Sequence, residues 1–234
     1  MTIRTEARGD ALLITIDRPP VNALDLETIE AMQYAFAKAA AQAPGAGVVL
    51  TGAGERAFSA GVDTQAFVGY DKGQRRKLVL AITAMTASLL AIPCPVVAAV
   101  NGHALGGGFV LMLACDFRLD PQGDAARFGL TEAQAGVPFP AGPTEIIRSE
   151  LPPTLLRRWT LSSATSTADT LIREGVLDEL QPAAELVPKA IERATALAAQ
   201  PAFRAVKRQV RGPLAERVAA LAASGDDPFV AAFM

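Results

Sequence analysis

The stretch VVAAVNGHALGGGFVLMLACDFRL, residues 96–119, decides how this chain reads. The valine-rich run at 96–100 predicts a strand. NGHALGGGF (101–109) is a glycine-rich turn, Phe109 to Ala114 continues as an apolar helix, and FRL (117–119) reads as another short strand. Strand, turn, helix and strand in succession point to a mixed α/β core. Glycines at such a turn let a ligand come close to the backbone. A helix opening at Gly106–Gly108 also directs unpaired N–H groups and partial positive charge at that point.

Upstream, GVVLTG (47–52) predicts a strand, and a second glycine turn, AFSAGVD (57–63), follows it. Two such donor loops, brought together, form an oxyanion hole. Residues 2–7 and 11–17 alternate apolar and polar around Gly9-Asp10, which predicts a β-hairpin ended by Pro19-Pro20. From Asp25, the residues Leu26, Ile29, Met32, Phe36 and Ala40 recur at helical spacing until Pro44-Gly45. Another helix is expected at about 73–91. The most apolar stretch, Ala84 to Val100, contains Pro93 and Pro95. It therefore reads as helix, break and strand; a membrane span wants about 20 unbroken apolar residues. Beyond residue 150 the patterns are helical, near 153–159, 166–174, 183–199 and 202–223. Ser166 with Asp169 predicts a capping box and Gly175 a helix stop. The expected division is an α/β core at 1–150 and a helical C-terminal region at 151–234.

The totals narrow the function classes. Half of the 234 residues are apolar, and 22 basic against 24 acidic residues leave a net charge of -2, so nothing suggests a nucleic-acid footprint. The basic run from Lys72 to Lys77 is expected to be a solvated face. Cys94 and Cys115 show no disulfide framework and read as small buried hydrophobes, which fits a reducing cytoplasm. The N-terminus alternates and carries acids early, a strand pattern and not a signal peptide. With one histidine, His103, a catalytic triad or a metal cluster has little to work with, and a packing role is expected for it. Neither G-x-G-x-x-G, a P-loop nor G-x-S-x-G occurs.

In combination, F-S-A-G-x-D at 58–63 and N-G-x-A-x-G-G-G at 101–108 resemble the signature pair of the crotonase (enoyl-CoA hydratase/isomerase) superfamily. PPVNALD (19–25), VVLTGAG (48–54), CDFRL (115–119), FGLTEAQAGVPFP (128–140) and ADTLIREGVLDEL (168–180) fall in family order, so the resemblance runs from about residue 11 to about 210. It implies a spiral of ββα units with a helical trimerisation region, hence a homotrimer or dimer of trimers. It also implies an acyl-CoA substrate, with coenzyme A arriving as the thioester and neither a separate cofactor nor a metal required. By position, the N–H groups of Ala60 and Gly107 match the oxyanion hole that holds the thioester oxygen. Asp63 and Asp116 match acidic positions of a structural kind. Ala23, Phe58, Asp63, Phe67, Val110 and Phe139 are expected around the substrate.

Enoyl-CoA hydratases of this family hold a water between two glutamates. The second is present as Glu132 in FGLTE; at the first position, three residues after Gly107, stands Val110. One carboxylate is enough to move a double bond from β,γ to α,β. Hydration needs a held water as well, and a buried water wants about three polar partners. GLTEAQAGV and PPVNALDLE also look like the mitochondrial-type 3,2-enoyl-CoA isomerases. The expectation is an isomerase with Glu132 as general acid and base. The alternatives are a hydratase or hydrolase of the same fold, or a non-catalytic acyl-CoA-binding homologue. Glu145 and Glu150, beyond PFPAGP, match no catalytic position.

Overall fold

The hairpin forms where the alternation predicts it. In the computed structural model, which describes residues 2–123 and 125–234, β1 (Ile3–Arg8) and β2 (Ala11–Ile16) pair antiparallel with Arg8 opposite Ala11, and Gly9 turns the chain at φ 62°. α1 (Leu26–Gln42) follows, capped by Asp25, whose carboxylate accepts from Thr28 N at 2.8 Å. Three times the chain then lays down two strands before turning into helix. β3 (Val48–Gly52) and β4 (Ala57–Ser59) precede α2 (Thr64–Gly69) and α3 (Lys72–Leu90); β5 (Val96–Ala99) and β6 (His103–Leu105) precede α4 (Gly107–Ala114). β7 (Phe117–Pro121) and β8 (Phe128–Gly129) precede α5 (Glu132–Ala135) and α6 (Ala141–Glu150). The first strand of each pair joins one six-stranded sheet, ordered β1-β2-β3-β5-β7 and onward, while the second strands make a three-stranded parallel sheet, β4-β6-β8. That is the expected spiral of ββα units.

The larger sheet is covered on both faces. Val48, Leu50, Val96 and Ala98 point into the main core with α1, α3 and α4. Val49, Val97, Ala99 and Leu119 point the other way, onto Leu186, Ala190 and Ala194. This explains why residues 48–50 and 96–99 read as unbroken apolar runs and not as alternating ones. Each such buried valine or leucine contributes about 1.5–3 kcal/mol against exposure.

Beyond α6 come α7 (Pro153–Ser162), α8 (Ala168–Arg173), the last strand β9 (Glu179–Gln181), α9 (Leu186–Ala198), α10 (Phe203–Ser224) and a 3-10 turn at Val230–Phe233. The C-terminal region is therefore more than helices. β9 pairs parallel with β7, Leu119 opposite Glu179, and completes the larger sheet. α9 supplies the second face of that sheet, and α10 packs on α3 and α6. The strand escaped sequence reading because three half-buried residues, ELQ, carry no periodicity. The expected capping box at Ser166 does not form: α8 is capped by Thr167 without a side-chain bond, and the backbone of Ser166 exchanges both hydrogen bonds with Phe128 at 2.8 and 3.0 Å. Gly175 does stop α8, at φ 69°. Cys94 and Cys115 are buried and unpaired, and no helix among the described residues is long and apolar enough to cross a membrane.

One core position is costly. Asp120 on β7 is fully buried, and neither carboxylate oxygen has a hydrogen-bond partner among the described residues. Burial raises its carboxyl from 3.8 to about 8. The folded chain thus keeps a proton that the unfolded chain releases near pH 4. Because the folded value is the higher one, stability is full below about pH 4 and declines as pH rises toward 8. Asp120→Asn is expected to flatten that slope, and Asp120→Ala to raise Tm at pH 8 by at least about 3 °C. Thermal unfolding from pH 5 to 9 checks this; melting curves that match the wild type at every pH would contradict it.

Candidate active site

Three glycines bring two backbone segments into contact. Gly108 allows α4 to lie on β4: a Cβ there would stand 2.1 Å from Ser59 O. At Gly61, with φ 80°, a Cβ would stand 2.9 Å from Gly107 N. Gly106 turns the chain into α4 at φ 51° and donates to Gly129 O at 2.8 Å. Gly107 is then the first helical residue, and its N–H has no intrahelical acceptor.

The second donor is not where the sequence placed it. Ala60 lines the cavity, yet its N–H donates to Val21 O at 3.0 Å. Two residues on, Leu24 N bonds to Gly61 O at 2.8 Å and Asp63 N to Leu24 O at 3.0 Å, which fixes the residues on either side of Val62. Among the described residues nothing accepts from Val62 N, which lies 3.9 Å from the Cβ position of Gly107. Val62 and Gly107 are therefore the pair of free donors, and the expectation for Ala60 is corrected. Nothing about a valine signals this, since the donor is a peptide group.

Glu132 opens α5 directly beneath this turn. A Cβ on Gly106 would stand 3.2 Å from its Oε1, and its Oε2 is buried with no hydrogen-bond partner among the described residues. Burial raises the carboxyl from 4.5 to about 7, opposed only by the residue's own backbone N–H. Val110, one turn into α4, is 1 % exposed and presents only methyl groups to the same cavity, of about 400 Å³.

Of the other residues expected around the substrate, Phe67 and Val110 line the cavity, whereas Ala23, Phe58, Asp63 and Phe139 do not. Phe58 is core, and Phe139 is partly buried against the core cluster. The carbonyl of Ala23 accepts from Arg18 Nη1 at 3.2 Å. Asp63 caps α2 through Gln65 N and Ala66 N, both 3.0 Å, and pairs with Arg18 at 2.7 Å. The Ala66 N–H first, and Arg18 with it, hold its carboxyl below the usual range. His103 Nδ1 accepts from Arg127 N at 2.9 Å, a packing role as expected. Lys72, Arg76 and Lys77 are solvated, but Arg75 within that run turns to the cavity and covers the Phe67 ring at 4.8 Å. Phe233 packs edge-on against the same ring and also lines the cavity. Neither had been singled out from the sequence.

The far end of α4 is held by side chains. Arg118 donates to Met112 O at 3.1 Å and Leu113 O at 2.7 Å, and Arg211, from α10, to Ala114 O at 3.0 Å and Cys115 O at 2.8 Å. Glu150 pairs with both guanidiniums, at 2.7 and 3.1 Å, and Asp116 pairs with Arg211 and Lys207. Glu145 pairs with Arg217 at 2.9 Å. Glu145 and Glu150 are thus both occupied in ion pairs.

Residues 6–230 match the family model described as enoyl-CoA hydratase/isomerase. A carnitinyl-CoA dehydratase of Salmonella arizonae is 35% identical over 196 residues, covering 84% of this chain and 74% of that one. Among solved structures, DspI of Pseudomonas aeruginosa superposes at a TM-score of 0.82 with 28% identity, over 91% of this chain and 81% of its own. An enoyl-CoA hydratase subunit I of Geobacillus kaustophilus does so at 0.80 with 29% identity, over 96% and 88%. Two of these names are a dehydratase and a hydratase, so the likeness to 3,2-enoyl-CoA isomerases rests on the sequence motifs alone. The match runs through both donor loops and Glu132, and this chain belongs to the enoyl-CoA hydratase/isomerase family, an acyl-CoA enzyme of crotonase fold.

Proposed function

We propose that this chain is an enoyl-CoA isomerase that moves a double bond from the β,γ to the α,β position of an acyl-CoA thioester. The observation that carries the reading is a single carboxylate, Glu132, beside the free donors, with buried Val110 where a second would stand. Ionised Glu132 removes the α-proton. The C–H electron pair spreads through the former double bond and the thioester as a dienolate, whose oxygen accepts from Val62 N–H and Gly107 N–H. The carboxylic acid so formed returns the proton to the γ-carbon, and the α,β double bond and the carboxylate are both restored. A carboxyl at about 7 suits both halves, since base and acid are each populated near neutrality.

Hydration is the reading favoured by the relatives' names, but it asks more of this cavity. A water needs partners besides the Glu132 carboxylate oxygen to which it would donate, and the methyl groups of Val110 give none. The carnitinyl group carries a quaternary ammonium, and Arg75 is a like charge on the cavity wall. A homotrimer, or a dimer of trimers, is part of the same proposal; Val206 and Val210, exposed on α10, supply an apolar face for it. The unpaired cysteines suit a cytoplasmic setting.

Offered 3-enoyl-CoA and 2-enoyl-CoA substrates, the wild type should shift the double bond of the first faster than it hydrates the second; product analysis showing 3-hydroxyacyl-CoA alone would promote the hydratase. Val110→Glu should raise hydration by giving the water its missing partner. Glu132→Gln should lower isomerisation by about 10²–10⁴-fold. In the wild type kcat/KM should rise with pH through about 7 and level off above it. The folded-state carboxyl lies above its unfolded value, so it also costs stability as pH rises from 4.5 to about 7. Glu132→Gln should accordingly melt higher at pH 8 while losing activity, and a pH-independent rate would count against the assigned base. Gly107→Pro keeps a residue that first-turn positions tolerate but deletes the N–H. It should cost about a hundredfold or more in rate, and undiminished turnover by the folded variant would remove Gly107 from the oxyanion hole.

A further inference from the structure

Arg75 is out of place in an apolar cavity. It stands in the first turn of α3, and Leu78, Val79 and Ile82 continue its face at the i+3, i+4 and i+7 positions; all four line the cavity. Its Nε donates to Tyr70 O at 3.0 Å and its Nη2 to Val68 O at 3.4 Å, while the guanidinium plane rests on Phe67. A guanidinium has five N–H donors, so most of its donor capacity is unused. Among the described residues no carboxylate comes within 4.0 Å of it. Arg18, Arg118 and Arg211, by contrast, each have at least one. Glu132 shares the cavity but is shifted by burial with no pull from a cation.

We infer that Arg75 is the recognition site for a carboxylate carried at the distal end of the acyl group, so that the preferred substrates are the thioesters of dicarboxylic acids. The inference rests on the acyl-CoA reading of the cavity given above. With the thioester oxygen at Val62 and Gly107, the chain of the acyl group runs along Leu78, Val79 and Ile82, and a carboxylate reaching Arg75 meets the free prongs of its fork. A carboxylate pairs with that fork by charge-assisted, two-pronged hydrogen bonds, which an alkyl end cannot form. A neutral chain would instead strip water from the guanidinium without replacing it.

Binding of succinyl-, glutaryl- and adipyl-CoA, set against butyryl-, valeryl- and hexanoyl-CoA and free coenzyme A, tests this by calorimetry without any turnover. At one length at least, the carboxylate ligand should bind about tenfold or more tightly than its neutral partner. Arg75→Gln should bring that ratio close to one, and Arg75→Lys, which keeps the charge but loses the fork, should restore part of it. Equal or tighter binding of the neutral ligand at every length overturns the inference. So does a loss in Arg75→Gln that is the same for both series and for free coenzyme A, which would assign Arg75 to the coenzyme's phosphates. Failure of every acyl-CoA to bind would instead remove the acyl-CoA reading itself, and this inference with it.

Discussion

The guanidiniums of Arg118 and Arg211 hold the carbonyl end of α4, and the rest of the site depends on that grip. A helix of eight residues has no independent stability. Its last carbonyls lie in the interior, where unpaired they would each cost about 1–3 kcal/mol. Two cations at this end also match the sign of the helix dipole. Glu150 and Asp116 balance the charges, and removing one partner from such a buried set typically costs about 3–5 kcal/mol. With one end clamped and the other pressed against Ser59 and Gly61, α4 has no freedom to turn. Its first N–H therefore stays aimed at one point in the cavity.

The same clamp explains why the C-terminal region is no appendage. Arg211 reaches α4 from α10, and Lys207 reaches the carbonyl of Cys94 at 2.9 Å, just ahead of β5. The last long helix thus secures both the strand and the helix on either side of the glycine turn. Asp116 closes the circuit by accepting from Val96 N at 2.8 Å.

Much of this was legible in the chain. Helical spacing located α1, and unbroken apolar runs located β3 and β5, whose residues are buried on both faces of the sheet. The glycine spacing located both donor loops, and the family likeness located Glu132. Strands of two or three residues, β4, β6, β8 and β9, lay below the reach of periodicity, since they are held by partners distant in sequence. The placement of the first donor at Ala60 erred by two residues for a different reason. Which N–H is free depends on what Val21 and Leu24 accept or donate, and a residue's type carries no trace of that. Arg75 was hidden inside a basic run whose other members do face water.

The origin of the donors in peptide groups bears on how such proteins diversify. The grip on a thioester oxygen is written in the path of the chain, at Val62 and Gly107, and is inherited through almost any exchange of side chains that leaves the glycines in place. The handling of protons is written in single side chains, Glu132 and Val110, which line the same cavity. A duplicated gene can thus retain the first as a fixed inheritance while drifting freely in the second. Descendants of one ancestor would then share a substrate handle and differ in the reaction performed on it.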